Sequence, residues 1–267
     1  MPKKQILLTN DDGIKSPGLW AAAEALAALG RVTVAAPREQ ASGMGRSLPS
    51  TSTGIIERET IIIHGQEWTV YAIGGTPAQA VQHGLLEIMS AKPDLVVSGI
   101  NYGENLATGI TISGTVGAAM EAASYGIPAL AVSLETDKKH HLSYSRDVVF
   151  STAAHFTARV AARMLKGGMP RGVNLFKLDI PSSADSATPL AWTRLSHQRY
   201  FHPTKPDRTD WSQRGQVGYE ARFDLSHEPE DTDLYAVIKK RLVSLTPLQL
   251  DFTAEIKWEE AIAEGEL

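Results

Sequence analysis

The chain contains no cysteine, which excludes a disulfide framework, a thiolate nucleophile and a thiolate metal site together. Any metal must then be held by oxygen or imidazole. Excess charge is missing too: 26 Lys and Arg against 30 Asp and Glu leave a formal net charge of -4. A nonspecific nucleic-acid surface would be basic. No apolar run approaches the roughly 18 residues of a membrane span. Met1-Pro2-Lys3-Lys4 leads straight into a strand without an apolar leader. These absences set the expectation of a cytoplasmic protein that works on a small molecule, with neither a nucleic-acid polymer nor a membrane as partner.

What is present reads as one α/β domain over residues 1–267, with a core to about residue 180. Apolar strand candidates alternate with helix candidates. The strands are Gln5–Thr9, Arg31–Ala35, Asp94–Ser98, Ala129–Leu134 and Asn174–Ile180. The helices are Pro17–Leu29, Thr76-Pro77 to about Met89, Gly114–Tyr125 and Arg146–Leu165. Residues 54–73 read as a hairpin turning at His64-Gly65-Gln66. Alternation of this kind predicts a Rossmann-like, mostly parallel sheet with helices on both faces. Beyond residue 180 the periodicity fades, and a β-rich excursion outside the main sheet is expected. Glu259-Glu260 to Leu267 reads as a frayed acidic end.

Four loops after four strands carry the polar chemistry. The first holds Asn10, Asp11 and Asp12, and Ser16-Pro17 stands behind it as the start of a helix. The second holds Ser42, Gly43, Gly45 and Ser47, and the third Gly74-Gly75-Thr76. The fourth holds Ser98, Gly99, Asn101, Gly103 and Asn105, followed by Ser113-Gly114-Thr115 opening a helix. Open α/β sheets bind ligands outside the carboxyl ends of their strands, so these loops can converge. Adjacent Asp11 and Asp12 repel unless solvent or a cation neutralises them. Two aspartates with a Ser and an Asn oxygen form a hard set suited to Mg²⁺ or Mn²⁺. The helix start at Ser113 offers free amides to an anion, or simply a Ser N-cap. Thr76 reads as a helix cap. His64, His83, His155 and His197 fall in no motif, and Lys239-Lys240-Arg241 reads as the solvated end of a helix beginning near Thr232.

Taken in order, Leu7-Leu8-Thr9-Asn10-Asp11-Asp12-Gly13-Ile14, Ser42-Gly43, Val97-Ser98-Gly99-Ile100-Asn101, Ser113-Gly114-Thr115-Val116-Gly117 and Leu242–Leu248 resemble the SurE family of survival-protein nucleotidases. The resemblance implies a metal-dependent phosphomonoesterase for nucleoside 5′-monophosphates, with 3′-nucleotides and short polyphosphate as further substrates. It carries the metal-ligand role onto Asp11, Asp12, Ser42 and Asn101, with one Mg²⁺ or Mn²⁺ per subunit. It also implies a homodimer or homotetramer in which the C-terminal third interlocks between subunits. Gln79, Ala107, Ile112 and Pro49 depart from common family residues without removing a ligand. In the resulting scheme Asp11 or Asp12 orients the attacking water, while Asn105, Ser113, Gly114 and Thr115 contact the phosphate. A metal-dependent nucleotide sensor without turnover is the non-enzymatic alternative. A phosphoacceptor receiver domain would need a carboxylate where Gly99 stands, and a haloacid-dehalogenase-type phosphatase would need Asp-x-Asp.

Overall fold

The computed structural model describes residues 3–141 and 143–253; the expected acidic end beyond Glu259 lies outside them. Its centre is a run of parallel strands. They are β1 (Lys4–Thr9), β2 (Gly30–Pro37), β4 (Gln66–Ile73), β5 (Leu95–Tyr102), β6 (Ala129–Leu134) and β7 (Leu175–Ile180), buried almost throughout in β5 to β7 and toward the carboxyl ends of the others. Continuous Leu, Ile, Val and Ala runs suit strands covered on both faces. Helices α1 (Pro17–Ala27) and α4 (Ser151–Gly167) cover one face through Leu19, Leu26, Phe156 and Val160. Helices α2 (Pro77–His83) and α3 (Gly114–Ser124) cover the other through Val81, Val116 and Ala119.

Strand β3 (Ile56–Ile63) lies antiparallel to β4 at one edge, as the hairpin pattern predicts. His64 and Gly65 both take positive φ, 47° and 82°, the two-residue turn whose twist matches a hairpin. The full order is β3-β4-β2-β1-β5-β6-β7-β11-β8, with β8 at Leu190–Trp192 and β11 at Val243–Leu248. From β1 the chain runs outward to β2 and β4, then returns to the other side of β1 as β5. That reversal parts the loops after β1 and β5 and opens a crevice between them, the place where such sheets bind ligands.

Three expectations need correction. The C-terminal third does not stay outside the sheet: β11 pairs antiparallel with β7 through Leu245–Leu178 and neighbouring pairs, and β8 joins β11. Only β9 (Phe201–Thr204) and β10 (Gly218–Ala221) form a separate ribbon. Helix α4 begins at Ser151 rather than near Arg146, with Phe150 as its N-cap packed edge-on against Tyr102 at 4.9 Å and 86°. After Thr232 the chain is helical from Asp233 to Lys239, ending in a π-helical turn (Tyr235–Lys239) with Lys239 and Lys240 exposed, but Arg241 is no solvated helix end. Its guanidinium reaches back to both oxygens of Glu135. Ser16 does occupy the N-cap of α1, but its hydroxyl makes no capping bond.

Helix α1 packs so closely on β5 that a Cβ at Gly18 would lie 2.1 Å from the Ile100 carbonyl oxygen. Gly18→Ala is therefore expected to destabilise the protein by about 1–3 kcal/mol, as overpacking does. An unchanged urea midpoint would contradict this account of the α1–β5 contact.

Candidate active site

Thr9 pairs in register with Ser98, so the loops after β1 and β5 leave the sheet side by side. The first loop is shaped by Asn10, whose side chain accepts from the Gly13 N–H at 3.1 Å and donates to the Gly13 carbonyl at 3.0 Å. Gly13 takes φ 98°, which the chain needs to turn back over residues 11 and 12. The main-chain oxygen of Asp11 accepts from Ala41 N–H at 2.7 Å, fastening the second loop to the first. The pairing of β5 with β6 slips between Ser98 and Asn101. An irregularity of this kind re-aims the side chains that follow it.

Both aspartates are nearly buried, Asp11 at 4% and Asp12 at 1% exposure. Asp11 accepts a short hydrogen bond from the Thr115 hydroxyl at the start of α3. A Cβ at Gly114 would stand 2.8 Å from Asp11 Oδ2, so only glycine lets that helix start approach the carboxylate. Asp12 accepts from Tyr102 N–H at 3.3 Å and from Gln40 Nε2 at 3.4 Å, both long bonds. Gln40 also donates to Ser42 Oγ at 3.0 Å, which brings the Ser42 hydroxyl to the same place. Asn101 Nδ2 is committed to the Gly103 carbonyl at 2.6 Å, so its oxygen is the atom it can offer a cation.

Electrostatics argues the same way. Burial pushes Asp11 up to about 6 despite the Thr115 hydrogen bond. Burial and then the neighbouring Asp11 charge push Asp12 well above the carboxylate range. Two desolvated like charges of this kind are relieved by a divalent cation. Among the described residues no three His, Asp or Glu side chains cluster to hold a metal. The donors that fit are therefore the two carboxylates with the neutral oxygens of Ser42 and Asn101, an all-oxygen set suited to Mg²⁺ or Mn²⁺.

The site opens into a cavity of about 410 Å³ whose lining includes Asp11, Ser42, Asn101, Asn105 and Ser113. Five residues singled out from the sequence are thus brought together. Asp12, Gly114 and Thr115 stand behind that lining, and Thr115 is spent on Asp11. Ser113 caps α3 by accepting from Val116 N–H at 3.1 Å. Thr76 likewise caps α2, in a capping box with Gln79. A larger groove of about 1060 Å³ between α1, α4 and the hairpin offers a single carboxylate, Glu24. Chemistry, not volume, selects the smaller cavity.

Sequence reasoning missed the cavity's other wall. His141 stacks on Tyr219 at 6.1 Å and 14°, and Phe201 meets Tyr219 edge-on at 5.3 Å. Burial lowers the His141 imidazole below its ordinary value, which favours the neutral ring. Glu104 lies in the same wall, accepts from the Tyr200 hydroxyl at 2.7 Å and is raised by burial to about 7. These residues come from separate loops and the β9–β10 ribbon, and no spacing links them. The four histidines set aside earlier stay outside: His64 pairs with Glu24, and His83 with Glu87, both at 2.6 Å.

A family model described as survival protein SurE matches residues 6–202. A protein of Thermococcus gammatolerans named 5′-nucleotidase SurE is 43% identical over 256 residues, covering 96% of this chain and 94% of its own. One of the same name from Methanosarcina mazei is 41% identical over 262 residues, covering 96% of each. The crystal structure of the SurE protein from Aquifex aeolicus superposes with a TM-score of 0.73 at 33% identity, covering 97% of both chains.

The raised acid groups fix the sign of a pH effect. Between pH 3.8 and about 6 the folded chain keeps a proton at Asp11 that the unfolded chain has released. This group's contribution to stability is therefore lost as pH rises through that window. In chelator, Asp12→Asn is expected to raise Tm at pH 7, because an amide need neither take up a proton nor bury a charge on folding. It should also shrink the Tm increase that Mn²⁺ gives the parent. A lower Tm in chelator, or an undiminished Mn²⁺ shift, would count against the cation site.

Proposed function

The chain belongs to the survival protein SurE family and is a phosphoric monoester hydrolase; we propose that it is a divalent-metal-dependent 5′-nucleotidase. The observation that carries this reading is the pair of buried aspartates at the crevice between β1 and β5, beside a cavity edged by Ser42, Asn101 and the start of α3. Asp11, Asp12, Ser42 and Asn101 hold the cation, Mg²⁺ or Mn²⁺. When bound, the cation supplies Lewis acidity and neutralises charge on the phosphate oxygens.

The chain's own residues do the rest. Asp11 lines the cavity and is fixed from behind by Thr115, so it orients the attacking water. Asp12 sits deeper and serves as a cation ligand. Asn105 and Ser113 face the same space and bind the phosphate. Gly114 and Thr115 open α3 behind Ser113, so the positive end of that helix adds a favourable field for the phosphate, with Thr115 also bonded to Asp11. Water gives up a proton to the Asp11 carboxylate and forms the new P–O bond in line as the bond to the nucleoside oxygen breaks. That oxygen leaves with the electron pair and takes a proton from solvent. The nucleoside lies toward His141, Phe201 and Tyr219, whose faces can stack a base of any identity. The same reading admits 3′-nucleotides and short polyphosphate as further substrates. Assembly as a homodimer or homotetramer is supported by the exposure of Trp211 (92%) and Val217 (60%) next to the β9–β10 ribbon.

Phosphate release from AMP in Mn²⁺, and its loss in chelator, is the direct test. Asp11→Asn is expected to lower kcat by at least about 10²–10³-fold with the far-ultraviolet spectrum unchanged. Turnover at the parent rate would remove Asp11 from the mechanism. Tyr219→Ala should raise KM for AMP about tenfold, the scale of one lost stacking contact. It should leave hydrolysis of glycerol phosphate, which has no base, as it was. Equal effects on both substrates would place the base elsewhere.

A further inference from the structure

Three charged side chains outside the cation site are wholly buried: Lys177 and Asp179 on β7, and Asp233 just before the π-helical turn. The Lys177 ammonium contacts Asp179 Oδ2 and lies 3.0 Å from Asp233 Oδ2. Such a cluster is a poor device for stability alone. Desolvating three charges costs several kcal/mol per ion, and apolar replacements of the same volume often do as well. What the carboxylates do besides contacting lysine is the informative part.

Asp179 Oδ1 accepts from the main-chain N–H of Asn105 at 2.8 Å. Asp233 Oδ2 accepts from the main-chain N–H of Ala107 at 3.0 Å. The other Asp233 oxygen accepts from Ser196 and Leu234 N–H at 2.9 and 2.8 Å. The two acids thus grip the segment after β5 at alternate residues, and Lys177 bridges them and holds both in place. The grip holds an unfavourable conformation, since Ala107 has φ 55°, a left-handed geometry that a non-glycine residue rarely adopts. Between the two anchored amides runs the stretch that carries Asn105 into the cavity. There the Asn105 Nδ2 donates to Ser133 Oγ at 2.8 Å, leaving its second N–H for a ligand.

We propose that the buried Lys177–Asp179–Asp233 cluster is a positioning device that holds the Asn105–Ala107 segment so that the Asn105 amide meets the substrate phosphate. Lys177 touches no substrate and is a positioning residue. The inference rests on the assignment of Asn105 to the phosphate. It adds that this contact is set from the far side of the loop, through charges buried between β7 and the Asp233 turn.

The test is a double-mutant cycle with Lys177→Met and Asn105→Ala, read as KM and kcat for AMP beside Tm. Lys177→Met is expected to raise KM about tenfold with kcat within about twofold, the pattern of a lost uniform contact. Asn105→Ala should do the same, and the double variant should be no worse than Asn105→Ala alone, because one contact cannot be lost twice. A merely structural role would lower Tm and the active fraction while leaving KM of the folded enzyme unchanged. That outcome overturns the proposal, as do KM effects that multiply in the double variant. If Lys177→Met does not fold, Asp179→Asn takes its place in the cycle with the same expectations. An Asn105→Ala enzyme with parental KM removes the phosphate assignment and the proposal with it, whereas multiplying effects remove the proposal alone.

Discussion

Burying two neighbouring carboxylates is the constraint on which the rest of the site depends. Asp11 and Asp12 leave β1 at its carboxyl end and enter a space almost closed to water. Their charges are met there by few and mostly long hydrogen bonds. In a low-dielectric interior such a pair is tolerable only when protonated or when a cation sits against it. The surrounding loops are arranged around this requirement. Gly114 withholds a side chain, Thr115 spends its hydroxyl on Asp11, and Gln40 joins Asp12 to Ser42.

The scaffold supplies rigidity where those loops begin. Register between β1 and β5 sets Asp11, Asp12 and Asn101 on one rim, and the reversal of strand order leaves the crevice between them open. The helix-to-strand contact at Gly18 fixes β5 from below. The Lys177 cluster would fix the continuation of β5 from the side. Every anchor is buried, so a reacting group on the rim inherits positions set by close packing rather than by surface contacts.

The cavity has two chemically distinct walls. One is oxygen-rich and built from the central sheet and α3. The other is aromatic and built from His141, Phe201 and Tyr219, partly on the ribbon that stands outside the sheet. Phosphate chemistry asks for fixed charges, and recognition of a nucleoside asks for flat faces. Gln40 ties the two walls together, donating to Asp12 and Ser42 on one side and to the His141 carbonyl on the other.

Much of this was legible in the chain itself, because strand and helix periodicity and turn residues are local signals. Alternating apolar segments gave the parallel sheet and its helices. His64-Gly65 gave the hairpin. The ordered polar loops gave the resemblance and, with it, Asp11, Asp12, Ser42 and Asn101. Boundaries and pairings that depend on distant partners were not legible. The start of α4 falls at Phe150, which packs against the distant Tyr102. Strands β8 and β11 enter the main sheet because β7 offers an unpaired edge. Lys177 and Asp179 stand at strand spacing and Phe201 and Tyr219 share one ribbon, but Asp233 meets Lys177 and Ala107, and His141 meets Tyr219, from far along the chain, where no spacing rule reaches. The sequence by itself therefore determined which fold the chain takes and which oxygen-bearing residues stand as candidates for a cation. Only the tertiary structure decided how deeply those groups are buried and what stands across from them, since desolvation and long-range contact exist only once the chain has closed on itself.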